Sequence, residues 1–229
     1  MKIYDIFLFD ADGTLYDFIK AEANALKIMF EYCGFGYTDS IRTRYREINE
    51  PLWRCHEKGE ISLDQLQVLR FENLFKDLGV YHDPQDFNTR YLLELGKGSF
   101  LIDGALDICR EIVSRGKKIF IVTNGLSATQ ASRIRHSPIR DYISDVFVSE
   151  HIGFQKPDKG FFDYVFPRIP QVGKDKILII GDSLTADIAG GNNAGIDTCW
   201  FNQHGVENGT GIAPVYEIRE LKQIKQAFL

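Results

Sequence analysis

The sequence lacks any long apolar run, and no stretch approaches the ~18 consecutive apolar residues that predict a membrane-spanning helix. Residues typical of a strand begin almost at once, with no basic-then-apolar leader before them, so we do not expect the protein to be exported. An excess of positive charge is also missing: 27 Lys and Arg face 32 Asp and Glu, which gives a net charge of −5. Since surfaces that bind polynucleotides are basic, we expect neither a membrane nor a nucleic-acid polymer as partner.

Cysteine is scarce, and the cysteines lie far apart in the chain. They are Cys33, Cys55, Cys109 and Cys199, and no two form a Cys-x-x-Cys pair. This spacing predicts reduced thiols in a cytoplasmic protein rather than disulfides or a metal knot. The 229 residues, 44% hydrophobic and 26% charged, are typical of a soluble globular protein with one domain and an insertion, or with two modest domains.

Two carboxylates follow the first apolar run of the chain. Residues 6–9 are all apolar, which predicts a strand buried on both faces, and Asp10 and Asp12 stand at its carboxyl end. Their spacing of two points both carboxylates to one side of the chain. Two like charges this close need a proton or a cation between them, and Mg²⁺ prefers hard oxygen ligands. The alternative is a simple turn, because Asp, Gly and Thr all favour turns.

Residues 16–97 have the periodicity of four amphipathic helices, which predicts a small bundle. Ser62 and Gln65 have the spacing of a capping box at the start of the third helix. Pro51 lies inside the second helical stretch, where we expect a kink or a break.

From about residue 101 helices alternate with apolar strands, and we expect a closing helix from Glu217. This alternation predicts an α/β fold with a doubly wound, mainly parallel sheet covered on both faces. The predicted domains are therefore an α/β core of residues 1–15 plus 98–229 and an all-helical cap of residues 16–97. Because the insertion leaves the carboxyl edge of the sheet, we expect it to overhang that edge as a lid.

Polar side chains recur at predicted strand ends or in adjacent loops. They are Asp10 and Asp12, Thr123 and Asn124, Lys156 before Pro157, and Asp182 with Asp187. Singly, each has a plain alternative: a turn pair, a solvated loop lysine, or the cap of the next helix. The carboxyl ends of strands in a doubly wound sheet converge on one crevice, so we expect these groups to meet there.

These segments resemble the four motifs of the haloacid dehalogenase superfamily of phosphotransferases. The matching segments are Asp10-Ala11-Asp12-Gly13-Thr14, Thr123-Asn124, Lys156-Pro157 and Gly181-Asp182-Ser183-Leu184-Thr185-Ala186-Asp187. The resemblance covers the whole chain, because the family inserts a helical cap where residues 16–97 lie. Within the superfamily, the cap is similar to that of the 5′-nucleotidases acting on pyrimidine and noncanonical nucleoside monophosphates. The similar cap stretches are Asn49-Glu50-Pro51-Leu52-Trp53, Gly59-Glu60-Ile61-Ser62 and Arg70-Phe71.

The resemblance implies a Mg²⁺-dependent phosphatase that works through an aspartyl phosphate. Mg²⁺ would be held by the Asp10 carboxylate, the Asp12 main-chain carbonyl and the Asp182 carboxylate. Asp10 would attack phosphorus, which divides one difficult step into two easier ones. Asp12 would protonate the leaving oxygen and later take a proton from the attacking water.

The resemblance also implies how the phosphate is held. The Thr123 hydroxyl and the Asn124 main-chain N–H would bind phosphoryl oxygens, and Lys156 would add a fixed positive charge. Asp187 would orient Lys156 or a metal-bound water rather than bind the metal itself.

The expected partner is a small phosphate ester, with a nucleoside 5′-monophosphate of a pyrimidine first, acted on by a monomer or a weak homodimer. Trp53 and Arg70 are the expected cap contacts to the base, whereas Phe18 and Phe71 have the spacing of bundle core. A sugar-phosphate phosphatase or phosphomutase would share every core residue and remains the alternative. A phosphoacceptor signalling domain is more distant, since it would be about half this length. A dehalogenase would not need the acid–base group that Asp12 provides.

Overall fold

The computed structural model describes residues 2–229, apart from the side chain of Glu57. The chain divides into two compact units. One unit is α/β and comprises the residues up to Phe18 together with Ser99–Leu229, and the other is helical and comprises Ile19–Gly98. Among the described residues, no helix combines the length and the apolar character needed to cross a membrane.

The α/β unit is built on a six-stranded sheet, in which every pair of neighbouring strands is parallel. The strands are β1 (Ile6–Phe9), β2 (Lys118–Thr123), β3 (Asp145–Val148), β4 (Ile177–Gly181), β5 (Asp197–Phe201) and β6 (Tyr216–Ile218). Their order is β3-β2-β1-β4-β5-β6, which confirms the predicted doubly wound sheet. The order reverses at β1, so the carboxyl ends of β1, β2 and β4 lie side by side where such sheets bind ligands.

The central strand is apolar on both faces because helices cover both sides of the sheet. Phe7 and Phe9 belong to one buried cluster, and Ile6 and Leu8 belong to the other. The helices of this unit are α5 (Ala105–Ser114), α6 (Ser127–Arg135), α7 (Ser149–Ile152), α8 (Lys159–Val165), α9 (Ala189–Ala194) and α10 (Gln223–Phe228).

The helical unit contains four helices, as the periodicity predicts. They are α1 (Phe18–Tyr32), α2 (Asp39–Glu57), α3 (Leu63–Leu78) and α4 (Pro84–Lys97). The capping box forms at the start of α3, where Gln65 N donates to Ser62 Oγ at 3.1 Å and Ser62 N donates to Gln65 Oε1 at 2.9 Å. Helix α2 continues through Pro51, so the expected break does not occur. Pro51 and Glu47, the residue four positions earlier, are both exposed, so the carbonyl that loses its partner can bind water instead.

Phe71 belongs to the core of the helical unit, as its helical spacing predicts. Its buried ring lies 4.7 Å from the ring centroid of Phe87, 5.1 Å from that of Tyr91 and 5.5 Å from that of Tyr45. This aromatic cluster joins helices α2, α3 and α4.

The expected closing helix from Glu217 is wrong at its start. Tyr216–Ile218 forms the edge strand β6, and the helix α10 spans only Gln223–Phe228. The register pairs Phe201 with Ile218. The edge of β5 offers backbone hydrogen bonds to these three residues. Those bonds favour a strand more than the local propensity of the three residues favours a helix.

Candidate active site

The segment after β1 forms a tight turn that presents Asp10 and Asp12 at the carboxyl edge of the sheet. Leu15 N and Tyr16 N both donate to Ala11 O, at 3.1 and 2.9 Å. Gly13 has a φ of 89°, and a Cβ there would overlap the carboxylate of Asp182. Glycine is therefore required at this position by both the backbone conformation and the lack of space.

Lys156 connects the ends of three strands through its ammonium group. Its Nζ donates to Asp10 Oδ1 at 2.8 Å, to Asp187 Oδ1 at 2.6 Å and to Val122 O at 2.6 Å. Burial opposes the charged form, but the negative charges of Asp10 and Asp187 outweigh it and raise the pKa of Lys156 above its usual value. The buried side chain therefore remains a cation whose three donors are all used.

Asn124 fastens the loop that carries Lys156 to the end of β2. Asn124 Nδ2 donates to Lys156 O and Lys156 N donates to Asn124 Oδ1, both at 2.9 Å. The sequence motif predicts a role only for the main-chain N–H of Asn124, and this use of its side chain is visible only in the structure. The neighbouring Thr123 is buried, and its hydroxyl oxygen accepts from Gly125 N at 3.0 Å.

Asp182 directly follows β4, and Asp187 lies within the π-helical turn Leu184–Ile188 that comes next. Asp187 Oδ2 accepts from Ser183 N at 3.1 Å while Oδ1 accepts from Lys156, so both oxygens have protein donors. From β5, the indole of Trp200 donates to Asp182 O at 2.9 Å. This indole contact supports the main chain at Asp182 and is not predicted by the sequence motifs.

Carboxylate oxygens of Asp10, Asp182 and Asp187 all lie within 4.8 Å of one another. Burial raises the pKa of Asp10 well above its usual range; the Lys156 ammonium opposes this shift, and the charges of Asp187 and Asp182 add to it. Burial raises the pKa of Asp182 to about 7, and the negative charge of Asp187 makes the next largest contribution to this shift. Part of the Asp182 side chain is nevertheless exposed. Such crowded carboxylates favour a cation. Hard oxygens fit Mg²⁺, and Asp10 and Asp182 fit it better than Asp187, whose oxygens are already engaged.

The carboxylate of Asp12 contacts two side chains from α6. Gln130 Nε2 donates to Asp12 Oδ2 at 2.5 Å, and Arg133 Nη1 donates to Asp12 Oδ1. A Cβ at Gly125 would overlap the Gln130 amide, so the glycine after Asn124 leaves room for this contact. Neither Gln130 nor Arg133 is among the site residues predicted from the sequence. The available signal was a pair of long polar side chains three positions apart on a helix that must cover the sheet.

The two expected cap contacts lie in the helical unit. Arg70 is buried: its Nη1 donates to Tyr45 Oη at 3.3 Å and its Nη2 donates to Asn88 Oδ1 at 2.5 Å. Its guanidinium also lies 5.1 Å from the ring centroid of Tyr91. Trp53 is half-buried, and its ring contacts that of His56. The side chain of Arg70 is thus buried and hydrogen-bonded within the helical unit, which its neighbours in the sequence do not predict.

Residues 4–195 match the model of the haloacid dehalogenase-like hydrolase family. The chain is 45% identical to the HAD-hydrolase YfnB of Bacillus subtilis, over 98% of this chain and 95% of that protein. A crystal structure of B. subtilis YfnB bound to magnesium superposes with a TM-score of 0.92 at 44% identity and covers 98% of both chains.

Two further relatives carry the name pyrimidine 5′-nucleotidase. PynA of Streptococcus pneumoniae is 39% identical over 94% of this chain and 91% of its own length. YjjG of Escherichia coli is 35% identical over 97% of both chains.

Proposed function

Because the chain belongs to the haloacid dehalogenase-like hydrolase family, we propose that it is a Mg²⁺-dependent phosphatase of small phosphate monoesters. The arrangement around Lys156 carries this proposal. A buried ammonium paired with Asp10 and Asp187 places a fixed positive charge beside the nucleophile, where a phosphate dianion would otherwise be repelled. Asp12 supplies an acid–base group that phosphate ester hydrolysis needs and halide displacement does not.

The Asp10 carboxylate, the Asp12 main-chain carbonyl and the Asp182 carboxylate would hold Mg²⁺. When bound, the ion neutralises charge on the phosphoryl oxygens and on the carboxylates around it. This role agrees with the raised pKa values of Asp10 and Asp182, which are caused first by burial and then by the negative charge of neighbouring carboxylates.

The reaction would proceed in two transfers. In the first, an Asp10 oxygen bonds to phosphorus while the bond to the leaving oxygen breaks, and Asp12 gives that oxygen its proton. In the second, a water oxygen bonds to phosphorus while the aspartyl–phosphorus bond breaks, and Asp12 takes a proton from the water. The Thr123 hydroxyl and the Asn124 N–H would hold the phosphoryl oxygens throughout, and Lys156, as the remaining predicted phosphate-site residue, would contribute its fixed positive charge.

The substrate class we propose is nucleoside 5′-monophosphates, pyrimidine ones first. The support is the likeness to two proteins named pyrimidine 5′-nucleotidase along almost the whole chain, including the helical unit. Within that unit, Trp53 is the better candidate for stacking on a base, because the guanidinium of Arg70 is already bound to Tyr45 and Asn88.

A hydrolysis screen tests both levels of the proposal. The purified protein would be incubated with Mg²⁺ and pyrimidine or purine 5′-monophosphates, hexose phosphates, p-nitrophenyl phosphate and 2-haloacids, with phosphate and halide release measured. We expect phosphate release that stops in excess chelator and is fastest with pyrimidine nucleotides. A preference for hexose phosphates would favour the sugar-phosphate alternative, and release of halide without phosphate would refute the phosphatase.

A further inference from the structure

Two side chains of α6 donate hydrogen bonds to the two carboxylate oxygens of Asp12. Arg133 donates to Oδ1 and Gln130 donates to Oδ2. Residues three apart lie on the same face of a helix, so one face of α6 serves this single carboxylate. Two donors on the two oxygens fix both the position of the carboxyl group and the plane in which it lies.

Arg133 is costly to bury, and its only carboxylate contact among the described residues is Asp12. Its relative exposure is 0%, and the rings of Tyr16 and Phe18 lie 5.6 and 5.9 Å from its guanidinium carbon. Its Nε and Nη2 find no hydrogen-bond partner in the part of the chain that the structure describes. A buried ion pair is a weak source of stability compared with apolar packing of the same volume. A purely structural need at this position would be met better by an apolar side chain.

We propose that Arg133 and Gln130 are positioning residues that orient the Asp12 carboxyl group for its two proton transfers. The inference rests on the phosphatase proposed above. In the first transfer the proton of Asp12 moves to the leaving oxygen as the phosphorus–oxygen bond breaks. A misdirected carboxyl would leave that oxygen to depart as an alkoxide.

Gln130 suits both states of a group that must give and then take a proton. Its amide carries a donor, Nε2, which bonds to the Asp12 carboxylate, and an acceptor, Oε1, which is buried and has no hydrogen-bond partner among residues 2–229 as described. A protonated Asp12 has an O–H to donate, and a rotation of the Gln130 side-chain amide by about 180° would place its Oε1 where it accepts from that O–H. Arginine has donors only, so the pair combines a fixed anchor with an adaptable one.

The experiment compares esters that differ in their need for a proton. A nucleoside 5′-monophosphate has a poor alkoxide leaving group, whereas 2,4-dinitrophenyl phosphate has a good one that departs unprotonated. The parameter is kcat/KM, because it reports steps up to the release of the leaving group. The variants are Arg133→Met and Gln130→Met, which keep much of the side-chain volume, with Arg133→Lys as the conservative replacement. Arg135→Met, on the exposed face of the same helix, is the matched control.

We expect Arg133→Met to lower kcat/KM about 10- to 100-fold for the nucleotide and less than threefold for the dinitrophenyl ester, since general acid help is worth ~10²–10⁴-fold in all. Gln130→Met should show the same selectivity with a loss of about 3- to 10-fold. Arg133→Lys should recover part of the loss, and Arg135→Met should match the wild type. In an Asp12→Asn background, Arg133→Met should cost less than a further twofold, because residues that act through one group are not additive.

Equal losses on both esters, or full additivity with Asp12→Asn, would overturn the positioning role and leave a structural one. Thermal unfolding of each variant shows whether it folds. If Arg133→Met does not fold, Gln130→Met and Arg133→Lys decide the question by the same ratio of esters. A wild-type protein that hydrolyses neither ester would refute the phosphatase itself, and the inference with it.

Discussion

The two units bury ionisable side chains in different ways. In the α/β unit, the buried ammonium of Lys156 donates hydrogen bonds to Asp10, Asp187 and a main-chain carbonyl. In the helical unit, Glu22 is only 3% exposed, and burial raises its pKa to about 7 against the opposing charges of several arginines. Burial therefore organises charges into a site where strand ends supply charged partners, whereas the burial of Glu22 costs stability when its carboxyl group is ionised.

The largest effect we expect is a loss of catalytic rate on substitution of Asp10 in the α/β unit, with the fold unchanged. Asp10→Asn should lower kcat for p-nitrophenyl phosphate by roughly 10⁴-fold or more, because an amide cannot act as the nucleophile. The amide nearly matches the carboxylate in shape and can still accept from Lys156, so thermal unfolding should change little. A loss below tenfold would contradict the assignment of Asp10.

The second prediction tests whether pairing is what makes burial tolerable in the α/β unit. Lys156→Met should lower the free energy of unfolding by about 3–5 kcal/mol, because it leaves Asp10 and Asp187 buried side by side without a cation. Denaturant titration at neutral pH measures this. Adding Asp187→Asn should recover a good part of the loss. A double variant no more stable than Lys156→Met would show that the two unpaired carboxylates are not its cause.

The third prediction concerns the buried carboxyl group of Glu22 in the helical unit. The pKa of Glu22 is about 7 in the folded protein against 4.5 for the free side chain, so the folded state holds its proton more tightly. Its contribution to stability is therefore complete below pH 4.5 and is lost as the pH rises through 7. Glu22→Gln should raise the free energy of unfolding by about 2–3 kcal/mol at pH 8 and change it little at pH 4. An equal effect at both pH values would show that ionisation is not the cause.

The smallest expected effect separates substrate choice from chemistry. Trp53→Ala should lower kcat/KM for a pyrimidine nucleotide about 5- to 150-fold, since a stacking contact is worth roughly 1–3 kcal/mol. The loss on p-nitrophenyl phosphate should stay below fivefold, because the groups proposed for the chemistry lie in the other unit. Arg54→Ala, an exposed neighbour on α2, serves as the control. Equal losses on both substrates would remove Trp53 from base recognition.

Features that depend on a few neighbouring residues could be predicted from the sequence. The strand Ile6–Phe9 and the capping box of Ser62 and Gln65 follow from apolar pattern and side-chain type alone. The meeting of Asp10, Lys156 and Asp187 needed one further rule, that parallel strands ending at the same edge bring their loops together.

Other features were decided only by the tertiary structure. Arg133 lies 121 positions from Asp12, and its residue type does not distinguish it from the exposed Arg135 two residues later. The strand at Tyr216–Ile218 exists because β5 leaves an open edge, and the burial of Arg70 depends on Tyr45 and Asn88 from two other helices. Pattern and propensity act over a turn of helix or a few strand residues. The partners of a buried charge or an unpaired strand edge come from wherever the fold places them, so they become visible only when the chain is packed.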